Sequence, residues 1–160
     1  MKNTRPMPLH DYCIPEAVLC DMDAADKEEA IRQLVDVLLA AKRIPSRQKA
    51  TAIRKEIIER ERQATTGIGK GVGIPHARSK HAKTLSLAIG KVPRGLDYGA
   101  VDGERVRVIL LLVSPDKSTD EHLAAMKTLV SIVRDPYQCK RLHGCDTPKS
   151  FVDLLAELDK

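Results

Sequence analysis

The fold is decided by the stretch from Thr65 to Arg78, which reads TTGIGKGVGIPHAR. Its four glycines occupy alternate positions, and each would cost about 1 kcal/mol in a helix compared with alanine. The segment is therefore predicted to be a shaped loop, because glycine permits unusual backbone angles and close approach of other groups. Pro75 fixes its own φ and favours an extended conformation at Ile74, so this loop presents the imidazole of His76 at its end.

Length and composition indicate one domain, predicted to span residues 1–160. Hydrophobic residues make up 42%, but there are only three tyrosines and one phenylalanine, so the core must be largely aliphatic. No apolar run approaches the ~20 residues of a membrane span, and residues 1–10 lack the apolar segment of a signal peptide. The four cysteines form no C-x-x-C pair and are expected to be reduced thiols. We therefore expect a cytoplasmic protein.

The positive charge is concentrated in one window. Residues 54–83 hold eight basic and three acidic side chains, so this window carries the whole net charge of +5. Such a run is most often a solvated face, and its functional alternative is a site for an anion or an acidic partner. Nucleic acid is not expected, because the window has no aromatic residue for base stacking and no recognisable nucleic-acid-binding motif.

Helix signals dominate the first part of the chain. Residues 1–9 are predicted to be flexible, and a first strand is predicted within residues 16–22. A helix is predicted from Asp26 to about residue 41, because Asp26 is a good N-cap and Glu29 completes a capping box. Ser46 is predicted to cap a second helix that continues to about residue 62.

Two strand signals follow the glycine stretch. A strand is predicted over residues 84–92 and a turn-rich segment over 95–103, where Asp102-Gly103 is a strong turn pair. The strand predicted over residues 105–114 has a continuous apolar run, which indicates a central strand covered on both faces.

Three helices are predicted after this strand. The first is capped by Thr119 or Asp120, ends near residue 135, and has a predicted buried face made of Leu123, Met126, Leu129, Val130 and Val133. A short helix over residues 137–143 and a last helix capped by Thr147 complete the chain. Helices and strands are interspersed, which favours an α/β fold with helices on both faces of a sheet.

The glycine pattern does not match the common nucleotide-binding or nucleophile motifs. A P-loop needs Gly-Lys followed by Ser or Thr, but Lys70 is followed by Gly71. The pattern G-x-G-x-x-G fails because its last position falls on Val72 or Ile74, and no G-x-S-x-G elbow is present. A native metal site is not expected, since the histidines and cysteines match no specific ligand spacing.

A histidine nucleophile remains. A neutral imidazole nitrogen can attack phosphorus and form a covalent phosphohistidine. The transferred group carries negative charge on its oxygens, so the protein must position it and supply cationic donors. Arginine grips phosphate oxygens with a planar fork, and the N–H groups of a glycine-rich loop can add an anion nest. A basic window around one presented histidine supplies these parts.

Several segments resemble the enzyme IIA domain of the bacterial phosphotransferase system, fructose/mannitol class, including its nitrogen-regulatory relatives. The resemblance is carried by Arg60-Glu61, by TTGIG at 65–69 and by GIPHA at 73–77. It continues through Asp102-Gly103, LLLVSP at 110–115 and Glu121-His122-Leu123, and it covers about residues 10–158. One departure is Gly73, where the family commonly has a small apolar residue such as Ala. The resemblance implies a mixed β-sheet flanked by helices.

The same resemblance implies roles for individual residues. His76 matches the phosphorylated histidine, which would accept a phosphoryl group from phospho-HPr or a similar carrier and pass it to a cysteine of an enzyme IIB partner. Arg60 matches an arginine expected to bind the phosphoryl oxygens, and His122 a second histidine expected to orient the group. Thr66 and Gly67 are weaker candidates for phosphoryl contacts. No cofactor is implied, because transfer runs directly between protein side chains.

Different functions are compatible with such a site. A sugar phosphotransferase protein would relay the phosphoryl group to a membrane permease, whereas a nitrogen-type regulatory protein would bind a target according to its phosphorylation state. These 160 residues hold no IIB-like cysteine loop or membrane domain, which motivates the regulatory alternative. A third, weaker alternative is a metal-dependent hydrolase using His76, His81 and His122. The basic rim expected to face a partner comprises Lys70, Arg78, Lys80 and Lys83.

Overall fold

The computed structural model describes residues 9–158. In chain order, the strands and helices are β1 (Val18–Leu19), α1 (Lys27–Ala40), α2 (Arg47–Gln63), β2 (Gly67–Gly69), β3 (Val72–Gly73), β4 (His76–Ser79), β5 (Ser86–Leu96), β6 (Val106–Pro115), α3 (Thr119–Arg134), α4 (Pro136–Gly144) and α5 (Pro148–Leu158). Two short 3-10 helices, Leu9–Tyr12 and Pro15–Ala17, precede β1.

The strands form a mixed sheet in the order β1-β5-β6-β3-β2. β5 and β6 are antiparallel, while β3 and β4 both run parallel to β6 and pair with it in succession. β4 starts where His76 pairs with Leu112, four residues beyond the pairing of Val72 with Val108. The strand that pairs with this side of β6 therefore changes from β3 to β4 immediately before His76.

β6 separates the core into two layers, because successive side chains of a strand point to opposite faces. The even-numbered residues from Val108 to Leu112 pack with residues of α3, α4 and α5. The odd-numbered residues from Ile109 to Val113 pack with residues of α1 and α2. The predicted α/β fold, with a mixed sheet and helices on both faces, is confirmed.

The first two helices begin where their capping residues predicted. The Asp26 carboxylate accepts the N–H of Glu29 at 2.8 Å, and the Ser46 hydroxyl accepts the N–H of Lys49 at 3.3 Å. None of the helices within residues 9–158 is long and apolar enough to cross a membrane.

The strand predictions need three corrections. The first strand comprises only Val18–Leu19, since the residues just before it form a 3-10 helix. β5 continues to Leu96, beyond the predicted end at residue 92. The predicted glycine loop contains β2, β3 and β4, because residues without side chains can form a tight hairpin with irregular register.

The predicted buried face of α3 is partly wrong. Leu123 is 60% exposed, and Met126 and Val130 are only partly buried. Leu129 and Val133 are buried as predicted, but His122, Ala125 and Ile132 complete the buried face, which is therefore rotated by part of one residue step of about 100° around the helix. Neither predicted cap, Thr119 or Asp120, is correct, because both residues already lie in α3. The N-cap of α3 is Ser118, whose side chain makes no capping hydrogen bond.

The predicted flexible segment ends earlier than expected. Residues 1–8 lie outside the described residues, so that part stays a prediction. Leu9 is 4% exposed and belongs to the core cluster on the α5 side of the sheet.

Candidate active site

The β2–β3 hairpin sets the position of the strand that carries His76. Lys70 and Gly71 form its turn with φ values of 58° and 77°, and such positive values are typical of tight hairpin turns. The turn is fixed from both sides: the N–H of Lys70 donates to the Asp102 carboxylate at 2.9 Å, and the Gly71 carbonyl accepts the N–H of Arg107 at 2.8 Å.

Gly67 and Gly73 are required for close packing rather than for unusual backbone angles. A Cβ on Gly67 would lie 2.8 Å from Ala100 and 2.9 Å from Tyr98, and a Cβ on Gly73 would lie 2.8 Å from the Tyr98 ring. The Tyr98 ring thus occupies the space that a larger residue at position 73 would need. This contact accounts for glycine at the position where the resembling family commonly has alanine.

A buried network, here called the Glu61 network, holds the start of the hairpin. It comprises Glu61, Thr66, Tyr98 and Lys27. Glu61 is 5% exposed and accepts both the N–H of Thr66, at 2.8 Å, and its hydroxyl. The Tyr98 hydroxyl lies 2.8 Å from the Thr66 hydroxyl, and the Lys27 ammonium lies 3.2 Å from the Glu61 carboxylate. Both polar donors of Thr66 are therefore occupied inside this network.

The hairpin orients the imidazole of His76 through the backbone. The N–H of Ile74 donates to the Thr66 carbonyl at 3.0 Å, and Nδ1 of His76 lies 2.8 Å from the Ile74 carbonyl. A carbonyl oxygen can only accept, so Nδ1 carries the proton and Nε2 keeps its lone pair. The ring is consequently held in the tautomer whose nucleophilic atom is Nε2.

His122 approaches His76 from α3. The two ring centroids lie 5.6 Å apart, and the rings are tilted by 48°. Nδ1 of His122 lies 2.7 Å from the hydroxyl of Ser114, which sits opposite Arg78 in the pairing of β4 with β6. Because residues paired across strands share one face of the sheet, β4 and β6 bring the site together on the α3 side.

Both imidazoles are biased towards their neutral forms. Burial is the main cause that lowers the pKa of His76, and the Arg60 charge lowers it further, against the Ile74 hydrogen bond and the Glu61 charge. Burial also lowers the pKa of His122 to about 4, with contributions from His76 and Arg78. A neutral ring retains the lone pair that a nucleophile needs.

Two arginines supply positive charge near the two histidines. Arg60, in the last turn of α2, is half-buried and donates from Nη1 to the Ala64 carbonyl at 3.1 Å, which leaves its other N–H groups available. Arg78 is two residues beyond His76 on β4 and donates to the Thr119 hydroxyl at 2.9 Å. The charge of Arg60 contributes to the lowered pKa of His76, and that of Arg78 to the lowered pKa of His122, so both arginines lie close enough to affect the imidazoles.

The structure thus brings together the three main predicted residues, Arg60, His76 and His122. Thr66 and Gly67 lie beside them in the hairpin, but their N–H groups donate to Glu61 and to the Thr65 hydroxyl. Sequence reasoning did not identify Ser114, Tyr98 or the role of Glu61. Ser114 had one recognisable signal, since it is the polar residue that ends a long apolar strand.

The four cysteines and His81, the third histidine of the metal-hydrolase alternative, take no part in this arrangement. Burial raises the pKa of the Cys13 thiol to about 12 and also raises the pKa values of the other three free thiols. His81 lies 3.9 Å from the Glu56 carboxylate. Among residues 9–158, no group of three or more His, Cys, Asp or Glu side chains is arranged to hold a metal ion.

Comparison with known proteins identifies the family of the chain. Residues 12–158 match the family model of the phosphoenolpyruvate-dependent sugar phosphotransferase system, EIIA 2. The chain belongs to this family. The resemblance carried by the glycine stretch and its flanking residues is therefore confirmed.

Both branches of the EIIA 2 family are among the similar proteins. The chain is 28% identical over 151 residues to the nitrogen regulatory protein of Bradyrhizobium diazoefficiens, covering 94% of this chain and 95% of that protein. It is 26% identical over 154 residues to the fructose-specific EIIABC component of Bacillus subtilis, covering 96% of this chain but only 24% of that protein's length.

A solved structure supports the fold. Nitrogen regulatory protein IIA-Ntr from Neisseria meningitidis superposes with a TM-score of 0.81 at 21% identity, covering 92% of this chain and 98% of that one. At this identity the likeness concerns the architecture of sheet and helices.

Proposed function

We propose that His76 accepts a phosphoryl group at Nε2 from the phosphohistidine of an HPr-like carrier and passes it to a cysteine of an enzyme IIB protein. The observation that carries this proposal is the 2.8 Å contact between Nδ1 of His76 and the Ile74 carbonyl. Because that contact holds the proton on Nδ1, only Nε2 can attack phosphorus.

The two transfers balance without a cofactor. In the first, the Nε2 lone pair forms a bond to phosphorus while the N–P bond of the carrier breaks, and the carrier's imidazole regains its electron pair. In the second, a cysteine thiolate forms an S–P bond while the N–P bond at His76 breaks. Between the two steps, the Nδ1–H donates to the Ile74 carbonyl and stabilises the positive charge that the phosphorylated ring carries.

Arg60 and His122 complete the site. The Arg60 guanidinium has free N–H groups that can bind the phosphoryl oxygens, where negative charge lies during transfer. The Ser114 hydroxyl can donate to Nδ1 of His122, which places the ring proton on Nε2 as a donor towards the phosphoryl group. Burial keeps this ring neutral, so it orients the group by a hydrogen bond rather than by charge.

Thr66 and Gly67 act differently from the predicted phosphoryl contacts. Because both donors of Thr66 point to Glu61 and Gly67 packs against Tyr98, we assign them a positioning role in the hairpin. The exposed bases near the site, including Arg78 and Lys80, form a rim for an acidic face of the carrier. Such a relay protein works in the cytoplasm and meets the membrane only through its permease partner.

Reconstitution with enzyme I, HPr and labelled phosphoenolpyruvate tests the proposal. Wild-type protein should acquire acid-labile label, and His76→Ala should acquire none. NMR of the labelled protein should show phosphorus coupled to Nε2. Label that remains on His76→Ala, or coupling to Nδ1, would contradict the assignment.

A regulatory function is the second candidate, and the match along nearly the whole nitrogen regulatory protein of Bradyrhizobium favours it. In that case His76 is phosphorylated in the same way, and the state of the ring decides whether a target protein binds. A panel of IIB proteins separates the candidates. Rapid loss of label to one IIB supports transport, whereas stable label and a target that binds only one of the two states support regulation.

A further inference from the structure

A second concentration of positive charge lies at the opposite end of β6 from His76. A cavity of about 530 Å³ opens between the hairpin turn, the adjoining ends of β5 and β6, and α4. The side chains of this cavity, here called the basic pocket, come from Lys70, Lys91, Glu104, Arg105, Arg107 and His143. Four of these side chains are cations, and one is a carboxylate.

Three of the four cations are held in place by backbone carbonyl groups. Arg105 donates to the Gly95 carbonyl at 3.0 Å, and Arg107 donates to the Pro93 carbonyl at 3.0 Å. The Lys91 ammonium donates to the carbonyls of His143 and Cys145, at 3.2 and 2.6 Å. Each of these bonds orients a side chain without neutralising its charge.

The basic pocket has no internal counter-charge of matching size. Among the described residues, none of its four cations forms an ion pair with a carboxylate, whereas Arg32, Arg62 and Arg141 do. Glu104 is exposed, and within residues 9–158 it is the one acidic residue that lines the cavity. Several like charges held around one cavity repel each other, so a bound anion with several negative charges would relieve this repulsion.

We propose that the basic pocket binds the pyrophosphate group of a small organic ligand such as a nucleoside di- or triphosphate. Two guanidinium groups can each grip phosphate oxygens with two N–H donors, and Lys70 and Lys91 add point charges. The cavity volume falls within the range of ligand sites and leaves space beyond the pyrophosphate itself. Because none of the described residues that line the cavity is Phe, Tyr or Trp, recognition rests mainly on the phosphates rather than on stacking of a base.

This site is distinct from the His76 site. Arg107 precedes Leu112, the β6 partner of His76, by five residues, which corresponds to about 17 Å along the strand. The basic pocket nevertheless touches the hairpin, because Gly71 lines it and the Gly71 carbonyl accepts the N–H groups of Arg107 and Val108. A ligand there would bind beside the turn whose strands lead to His76.

Isothermal titration of the full chain with inorganic pyrophosphate, ADP and AMP at constant ionic strength tests the proposal. We expect saturable binding of pyrophosphate and ADP, with AMP much weaker because it lacks the second phosphate. Arg105→Gln and Arg107→Gln should each weaken pyrophosphate binding about tenfold, since each removes a charge-assisted contact. Lys127→Gln, an exposed charge change on α3, is the matched control and should leave the affinity unchanged.

A second measurement needs only the wild-type protein. In NMR spectra, added pyrophosphate should shift the amide signals of Gly71 and Gly95 more than those around His76. The proposal fails if no saturable binding occurs up to about 1 mM pyrophosphate. It also fails if Lys127→Gln weakens binding as much as Arg107→Gln, or if Arg60→Gln abolishes binding while Arg107→Gln does not. The last result would place the anion at the His76 site.

Discussion

Two glutamates of α2 hold opposite ends of the segment that carries His76, in very different surroundings. Glu61 accepts the Thr66 hydroxyl before the hairpin, and its side chain is 3% exposed. Glu56 accepts the hydroxyl of Ser79, the last residue of β4, at 2.9 Å, and its side chain is 35% exposed and lies near His81. The second group, comprising Glu56, Ser79 and His81, is called the Glu56 cluster below.

The two groups differ in how firmly they hold the segment that carries His76. In the Glu61 network, water is excluded, so a lost partner would leave a buried polar group unsatisfied. In the Glu56 cluster, Ser79 is buried but the Glu56 carboxylate is partly exposed, so water can solvate this carboxylate when it loses a partner. The hairpin end of the segment is therefore fixed tightly, and this is the end where Ile74 orients His76. The other end mainly terminates the strand.

Loss of His76 should have the largest effect. His76→Ala should abolish phosphorylation by the carrier, whereas His81→Ala, which removes the imidazole of the Glu56 cluster, should keep most of it. Intact-mass spectrometry after incubation with enzyme I, HPr and phosphoenolpyruvate measures both. Equal loss in the two variants would show that the Glu56 cluster matters to phosphorylation as much as His76 itself.

Replacement of Arg60 should come next. Arg60→Ala should slow phosphoryl transfer to His76 by about 10²- to 10³-fold, the usual cost of removing one donor that stabilises developing charge. Arg62→Ala is the control, because Arg62 is exposed and pairs with Glu28. Single-turnover rates from phospho-HPr give the comparison, and a similar rate for the two variants would remove Arg60 from the site.

The pH dependence of stability should reveal the burial of His122. The fold holds its pKa at about 4, whereas the ordinary value is 6.5. The unfolded state therefore binds this proton first as the pH falls, and the free energy of unfolding should decrease by up to about 3 kcal/mol between pH 6.5 and pH 4. Above pH 6.5 both states are neutral and this contribution is constant.

Urea unfolding at several pH values isolates this contribution. His122→Asn, which can keep a contact to Ser114, should lack that part of the decrease, whereas His81→Asn should retain it. Identical slopes for wild type and His122→Asn between pH 6.5 and pH 4 would contradict the pKa assigned to His122.

Substitution of Glu61 and of Glu56 compares the two groups directly. We expect these substitutions to have the smallest effects, which are on the free energy of unfolding. Glu61→Gln should cost about 2 kcal/mol, because its amide cannot accept from all the buried donors that the carboxylate serves. Glu56→Gln should cost less than about 1 kcal/mol, since its site is partly solvated. Urea unfolding at pH 7 measures both, and equal costs would show that burial does not distinguish the two groups.

The order of the elements was predictable from local signals. The caps at Asp26 and Ser46 start their helices because a side-chain oxygen satisfies a free backbone N–H, whatever the rest of the chain does. The run from Val108 to Val113 had to be covered on both faces because all its side chains are apolar and successive side chains of a strand point to opposite faces. These features depend only on residues that are close together along the chain, so they can be predicted from the sequence.

The candidate site was only partly predictable. His76 was predicted from the glycine stretch that presents it, and Arg60 and His122 were predicted through the family resemblance. The contact of Ser114 with His122 could not be predicted from the sequence, because it depends on which face of α3 packs against β6. The error at Leu123 has the same origin, since a hydrophobic stripe shows that a helix has a buried face but fixes its rotation poorly.

The chain's helices, its central strand and the stretch that presents a histidine could therefore be predicted from local sequence patterns. The free nitrogen of His76, the position of His122 beside it with a lowered pKa, and the bonds from Thr66 to Glu61 depend on the folded molecule. So does the packing of Gly73 against Tyr98. The physical reason is that caps and periodicity act between near neighbours, whereas tautomers, burial and close packing depend on groups that are distant in sequence.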